Sequence, residues 1–190
     1  MRSEKIILAS ASPRRKEILE KMGLEFKIIA SDYEEILENS DFTYEKIEEL
    51  AYQKAKTVVG KLLSPSIILS ADTVVVLDGA ILGKPKDETD AISMLKRLSG
   101  NKHFVVTSIC VLNMTNSKKK LSSTTSYVEF EILNEELIKY YVQNFKPLDK
   151  AGAYGIQELP EGFIKNIEGS LENIIGLCPL AVRDILSEFL

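Results

Sequence analysis

The sequence predicts an α/β fold, and three observations carry that expectation. Short apolar runs at Lys5–Ala9 and Phe26–Ala30 flank a stretch with helical spacing, so strands and helices alternate from the start. Two later pairs of apolar runs, one closed by Asp78-Gly79 and one by the polar stretch Asn113–Lys119, read as hairpins. Further segments opening at Thr43, Asp87 and Asn134 place apolar residues at helical intervals behind a capping side chain.

Taken in order, Lys5–Ala9 is a short buried strand that runs straight into Ser10-Ala-Ser12-Pro13-Arg14-Arg15. Ser12 suits the N-cap and Pro13 the first helical residue, Ile18, Leu19 and Met22 form the apolar stripe, and Gly23 closes the helix. A helix N-terminus offers unpaired N–H groups, and guanidinium forks match phosphate oxygens. Ser10, Ser12, Arg14 and Arg15 are therefore candidates for a triphosphate cradle, against the plainer reading of a strand-to-helix connection with solvated arginines. Two arginines in a first turn oppose the helix dipole and call for an anionic partner.

Phe26–Ala30 is a second strand, with Asp32, Glu34 and Glu35 just beyond it. One of these acids can serve as a metal ligand or base, the alternative being a solvated loop. Thr43 opens a long helix with Ile47, Leu50, Ala51, Ala55, Val58 and Leu62 on its apolar stripe and Lys54 on or beside it. Lysines so placed usually snorkel to water; here the second reading is an ammonium lining a cleft.

The central stretch SADTVVVLDGAILGKP, Ser70–Pro85, turns over on Asp78-Gly79 and brings Asp72 and Lys84 near the same end of two adjacent strands. A carboxylate beside an ammonium at a strand mouth suits metal-dependent phosphate chemistry, and equally a surface ion pair beside a hairpin. A helix follows from Asp87 to Gly100 with Ile92, Leu95 and Leu98 on one face, then strands His103–Leu112 and Lys120–Glu131. His103 is expected to orient a loop rather than to perform chemistry. Asn134 caps a helix with Leu137, Ile138, Tyr141, Val142 and Phe145 inward, stopped by Pro147. In Asp149–Gln157 the small residues Gly152, Ala153 and Gly155 are expected to let backbone approach a ligand, with Tyr154 or a backbone wall packed near its ring. The Gln157 amide can accept from and donate to a pyrimidine imide, and flipped it can read cytosine. Gly162–Ile167 and Ser170–Leu177 are expected to be short strands and Pro179–Leu190 a helix.

Composition limits the function further. With 190 residues the chain can bury a large core as one domain or one domain with two lobes. Cys110 and Cys178 form no CxxC pair and no secretory leader is seen, so a reduced, cytoplasmic setting is expected. No apolar run approaches a membrane span. The net charge of −4 argues against a general nucleic-acid binder, although a local basic cleft for an anion is compatible with it. A single histidine, His103, leaves no His pair for zinc.

The stretches ILASASPRRKEIL, ADTVVVLDGAILGKP, LSGNKH and DKAGAYGIQ stand in the order and spacing of the Maf family, which the chain resembles over nearly all of its 190 residues. The resemblance implies a mixed α/β fold similar to inosine triphosphate pyrophosphatases: a single domain over residues 1–190, with an elongated central sheet flanked by helices, and two lobes with a cleft between them. It implies a nucleoside triphosphate pyrophosphatase that cleaves between the α- and β-phosphates with a divalent metal, Mg²⁺ or alternatively Mn²⁺, and that is often a homodimer. By position, Asp72 would accept a proton from water, Glu35 would be the second carboxylate, serving metal or water, and Lys54 and Lys84 would hold phosphates. Arg14, Thr73 and Gln157 look like the branch acting on dTTP and UTP; the branch similar to 7-methyl-GTP pyrophosphatases would carry a bulky residue, Gln and Glu there. The implied partner is a small-molecule nucleotide, with neither nucleic acid nor membrane. Alternatives are a pyrophosphatase of different base specificity, or a nucleotide-responsive inhibitor of septum formation acting through a protein partner. Two stretches depart from the family pattern: Glu158-Leu-Pro160-Glu161 in place of a Gly-rich segment, and Gly176-Leu177-Cys178-Pro179 in place of Gly-Leu-Pro.

Overall fold

The computed structural model describes residues 5–33 and 41–190. Lys5–Leu8 (β1) buries Ile6, Ile7 and Leu8. It leads through the Ser12 cap into Pro13–Lys21 (α1), and Phe26–Ile28 (β2) returns parallel to β1, shorter than the expected Phe26–Ala30. Thr43 caps Tyr44–Val59 (α2), its hydroxyl accepting from the Lys46 N–H. The hairpin follows as Ser66–Leu77 (β3) and Ala80–Leu82 (β4). Asp78 and Gly79 both take positive φ, 51° and 79°, as a two-residue hairpin turn requires. Then come Glu88–Leu98 (α3), the long pair Lys102–Asn113 (β5) and Lys119–Phe130 (β6), and Glu135–Phe145 (α4). Ile164–Glu168 (β7), Leu171–Ile175 (α5) and Pro179–Leu186 (α6) complete the chain.

The stretch expected as a strand at Ser170–Leu177 is thus a helix. The Ser170 hydroxyl caps it by accepting from the Asn173 N–H, and Gly176 ends it at φ 131°, so local capping overrides the apolar run.

The strands form one mixed sheet in the order β2-β1-β3-β5-β6-β7, with β4 also on β3. β3 organises it. One edge pairs antiparallel with β5 from Ile67 to Val76. The other edge is shared: β1 runs parallel along it as far as Leu8 opposite Leu69, and β4 returns antiparallel opposite Val75 to Leu77. Among the described residues no strand covers positions 70–74 on that edge. This notch lies at the carboxyl end of β1, where α/β sheets place ligands.

Strand alternation sends neighbouring β3 residues to opposite faces. Ile67, Leu69 and Ala71 pack with Ile18 and Leu19 of α1 and Val182 and Ile185 of α6. Val75 and Leu77, further along the same face, join Leu95 and Leu98 of α3 and Ile138 and Val142 of α4. On the opposite face Ile68 meets Ala51, Ala55 and Val58 of α2, and Val74 and Val76 meet Ile47 and Leu50. Both apolar rows break at the notch, at Thr73 on one face and at Ser70 and Asp72 on the other. Full burial of an aliphatic side chain contributes about 1.5–3 kcal/mol, so a central strand that forgoes it there marks a site rather than a core.

His103 on β5 lies in the core, 1 % exposed, with Nε2 2.8 Å from the Tyr154 hydroxyl and its ring edge-on to Phe130. As expected from the sequence, it anchors the 151–157 segment. Burial pushes its pKa down to about 4 from 6.5. Between those values the unfolded chain binds the proton and the folded chain does not, so stability is fully present above pH 6.5 and is lost as pH falls toward 4. The expected loss is about 2 kcal/mol at pH 5 and about 3 kcal/mol at pH 4. Urea midpoints of the protein and of His103→Gln, compared between pH 7.5 and pH 5, test this: the variant should be less stable at pH 7.5 and show a flatter pH dependence.

Candidate active site

The site is built where β1 hands over to α1. The Ser10 hydroxyl accepts from the Ser12 N–H at 3.2 Å and from Arg15 Nη1 at 3.3 Å, and the Ser12 hydroxyl accepts from the Arg15 N–H at 3.4 Å. These hydroxyls shape the turn. Arg15 then reaches across the notch, donating from Nε to the Gly176 carbonyl at 2.9 Å and from Nη2 to the Thr73 hydroxyl at 3.0 Å. Thr73 in turn lies 2.9 Å from the Thr107 hydroxyl, which donates to the Asn173 carbonyl at 2.9 Å. Arg15 therefore braces α1, β3 and the α5–α6 corner. Pro179 opens α6 just after that corner, so the departure at Gly176–Pro179 is accommodated as a helix-to-helix joint. Arg14 points elsewhere, with Nη1 3.8 Å from Asp149 Oδ2.

On the other face Asp72 is 2 % exposed. Helical spacing sets Lys54 on the buried stripe of α2, and its ammonium makes a buried ion pair with Asp72 Oδ1 instead of snorkelling to water. Lys84, just past β4, lines the same cavity, together with Lys86 and with Arg97 of α3.

The segment 151–157 closes the far wall, and the structure divides the small residues that the sequence offers to a ligand: Gly155 borders the cleft, whereas Gly152 and Ala153 are buried in packing. A Cβ on Gly152 would stand 2.9 Å from Val75 Cγ2, its φ is +65°, and its N–H donates to the Gly83 carbonyl at 3.0 Å. A Cβ on Gly155 would stand 2.9 Å from Lys150 Cε. Tyr154 borders the cleft from the core side, 5 % exposed, edge-on to Phe130 and bonded to His103. Gln157 is exposed on the rim.

The sequence reading missed Lys150. It is 8 % exposed, with Nζ 2.9 Å from Asp149 Oδ1 and 3.2 Å from Glu158 Oε2. Its one local signal was a lysine inside an otherwise small and apolar run. The departure at Glu158 supplies one of its two partners.

One cleft of about 1010 Å³ gathers these groups. Of the residues expected from the sequence, Ser12, Arg14, Arg15, Lys54, Asp72, Thr73, Lys84 and Gln157 line it. Ser10 is buried behind the turn and is not part of the lining, and Glu35 lies outside the described residues. Seven basic side chains face four acidic ones across the lining, so a chain of net charge −4 carries a locally positive cavity suited to an anion. Among the described residues no cluster of three or more His, Cys, Asp or Glu forms a metal cage, and no helix is long and apolar enough to cross a membrane.

The family model described as Maf-like protein matches residues 5–189. The chain belongs to the Maf family. Among its Maf relatives, a dTTP/UTP pyrophosphatase of Ruminiclostridium cellulolyticum is 47% identical over 173 residues, covering 90% of this chain and 89% of the relative. A dTTP/UTP pyrophosphatase of Clostridioides difficile is 44% identical over 184 residues, covering 97% and 94%. In structure, this Maf chain is similar to a HAM1 protein from Coxiella burnetii, with a TM-score of 0.52 over 98% of both chains. At 18% identity that likeness shows the fold, the mixed α/β arrangement expected from the sequence.

Proposed function

We propose that this Maf protein hydrolyses dTTP and UTP to the nucleoside monophosphate and pyrophosphate. The observation that carries the reading is the convergence of Arg14 and Arg15, the Lys54–Asp72 pair, Lys84 and Gln157, from separate parts of the chain, on one positive cleft. Its volume, about 1010 Å³, is at the upper end of the roughly 300–1,000 Å³ typical of small-ligand sites. The relatives named dTTP/UTP pyrophosphatase support the same substrates.

In this reading the triphosphate lies along the notch, where Lys84, Arg15 and the α1 N-terminus offset its charge. Lys54 orients the Asp72 carboxylate. Water attacks the α-phosphorus, its proton passes to Asp72, and the bond to the α–β bridging oxygen breaks, so pyrophosphate leaves with the electron pair. Gln157 at the rim pairs with the N3–H and a neighbouring carbonyl of the base. A hard divalent cation such as Mg²⁺ fits the donor chemistry, because it takes one or two carboxylates plus substrate phosphates instead of a full protein cage. Asp72 would hold it, joined by Glu35. When bound, it supplies charge neutralisation on the phosphates and activation of water.

Pyrophosphate release measured against a panel of common and methylated triphosphates, with Mg²⁺ and with chelator, tests the proposal. dTTP and UTP should turn over fastest and chelator should abolish the reaction; release of orthophosphate alone, or a purine preference, would overturn it. Gln157→Glu replaces an amide donor by an acceptor facing a carbonyl. It should lower kcat/KM for dTTP and UTP by about 100-fold and leave other nucleotides within about threefold. Equal losses across the panel would remove Gln157 from base reading.

A further inference from the structure

We propose that Lys150 is a positioning residue that holds the rim of the cleft in its base-reading shape by clamping Asp149 and Glu158. The idea rests on the reading of the cleft as a pyrimidine nucleotide site. The Lys150 ammonium is buried at 8 % exposure yet lies 2.9 Å from one carboxylate and 3.2 Å from another. A buried cation needs such compensation, and removing it leaves carboxylates to repel each other.

The geometry shows what the clamp controls. The Glu158 N–H donates to the Gly155 carbonyl at 2.9 Å, making a turn whose two central residues are Ile156 and Gln157. Both ends of that turn touch Lys150. Gly155 packs so closely on the lysine stem that a Cβ would stand 2.9 Å from Cε, and Glu158 holds the ammonium itself. The Tyr141 hydroxyl accepts from the Gly155 N–H at 3.0 Å and pins the turn from below. On the other side Asp149 Oδ1 binds Lys150 while Oδ2 lies 3.8 Å from Arg14. Burial raises the Asp149 carboxyl's pKa, but the Lys150 hydrogen bond and the charges of Lys150 and Arg14 outweigh this and hold it below the usual range. One ammonium thus links Arg14, on the N-terminal wall, to Gln157, on the opposite rim.

The test uses Lys150→Met and Glu158→Gln in the full chain, with two readouts. Hydrogen exchange without substrate should show the 151–159 segment exchanging about tenfold faster in Lys150→Met, and less so in Glu158→Gln, with β3 and β5 unchanged. Steady-state kinetics with dTTP and CTP should show KM for dTTP raised about tenfold, kcat within about threefold, and the dTTP preference reduced about tenfold. Unchanged exchange in both variants would overturn the clamp, as would a fall in kcat with the nucleotide preference intact. If the wild-type chain turned over neither dTTP nor UTP, the functional reading would fail, and the exchange experiment would still decide the clamp.

Discussion

Asp72→Asn is expected to lower pyrophosphate release from dTTP by at least about 1,000-fold, because it removes the proposed proton acceptor. The same change has a second effect that must be separated from the first. Asp72 is 2 % exposed and paired with Lys54, and breaking a buried pair from one side typically costs about 3–5 kcal/mol, since the remaining charge keeps its desolvation penalty without its partner. The asparagine variant should therefore unfold at a clearly lower urea concentration. Adding Lys54→Met removes the stranded ammonium, and the double variant should recover much of the lost stability while staying inactive. Turnover in the double variant near the wild-type rate would exclude Asp72 from the chemistry. Failure of Lys54→Met to restore stability would exclude the ion pair as the source of the folding defect.

Gly152→Ala is expected to destabilise the fold by about 3 kcal/mol, the sum of a left-handed backbone position and an overpacked contact. At φ +65° a side chain is strained, and the new methyl would stand within 3.0 Å of three Val75 atoms. Val75 cannot turn aside easily, being β-branched and 3 % exposed in a strand paired on both edges there. The loss should read out as a lower urea midpoint. In the Val75→Ala background, which removes two of the three crowding atoms and keeps the Cβ, the penalty of Gly152→Ala should shrink to about 2 kcal/mol, most of it backbone strain. An equal penalty in both backgrounds would place the cost elsewhere.

The glycine shows where reading residues in order stops being enough. Gly152 looks like an opening for a ligand because a run of small residues is compatible with any close neighbour. Its neighbour is Val75, from a strand far away in the chain, while Gly155 does border the cleft. Ser10 is similar: it belongs to a functional-looking stretch and is satisfied inside the protein by the Ser12–Arg15 turn. The Leu171–Ile175 helix is not legible in the sequence because five helical residues are too few to establish a period.

Local chemistry was enough to mark the caps at Ser12, Thr43 and Asn134, the Asp78-Gly79 turn, the apolar stripe of α2 and the presence of Lys54 on it. These signals act within one turn or one strand repeat, so they are written in consecutive residues. The partners were settled only by folding. Adjacent residues Asp72 and Thr73 face opposite sides of the sheet, and it is the packing of α2 on one face and α1 on the other that gives Lys54 to the first and Arg15 to the second. Charge and volume complementarity between distant segments has no period along the chain, which is why the notch, the Arg15 brace and the buried Lys150 emerge only once β1, β3 and β4 lie side by side.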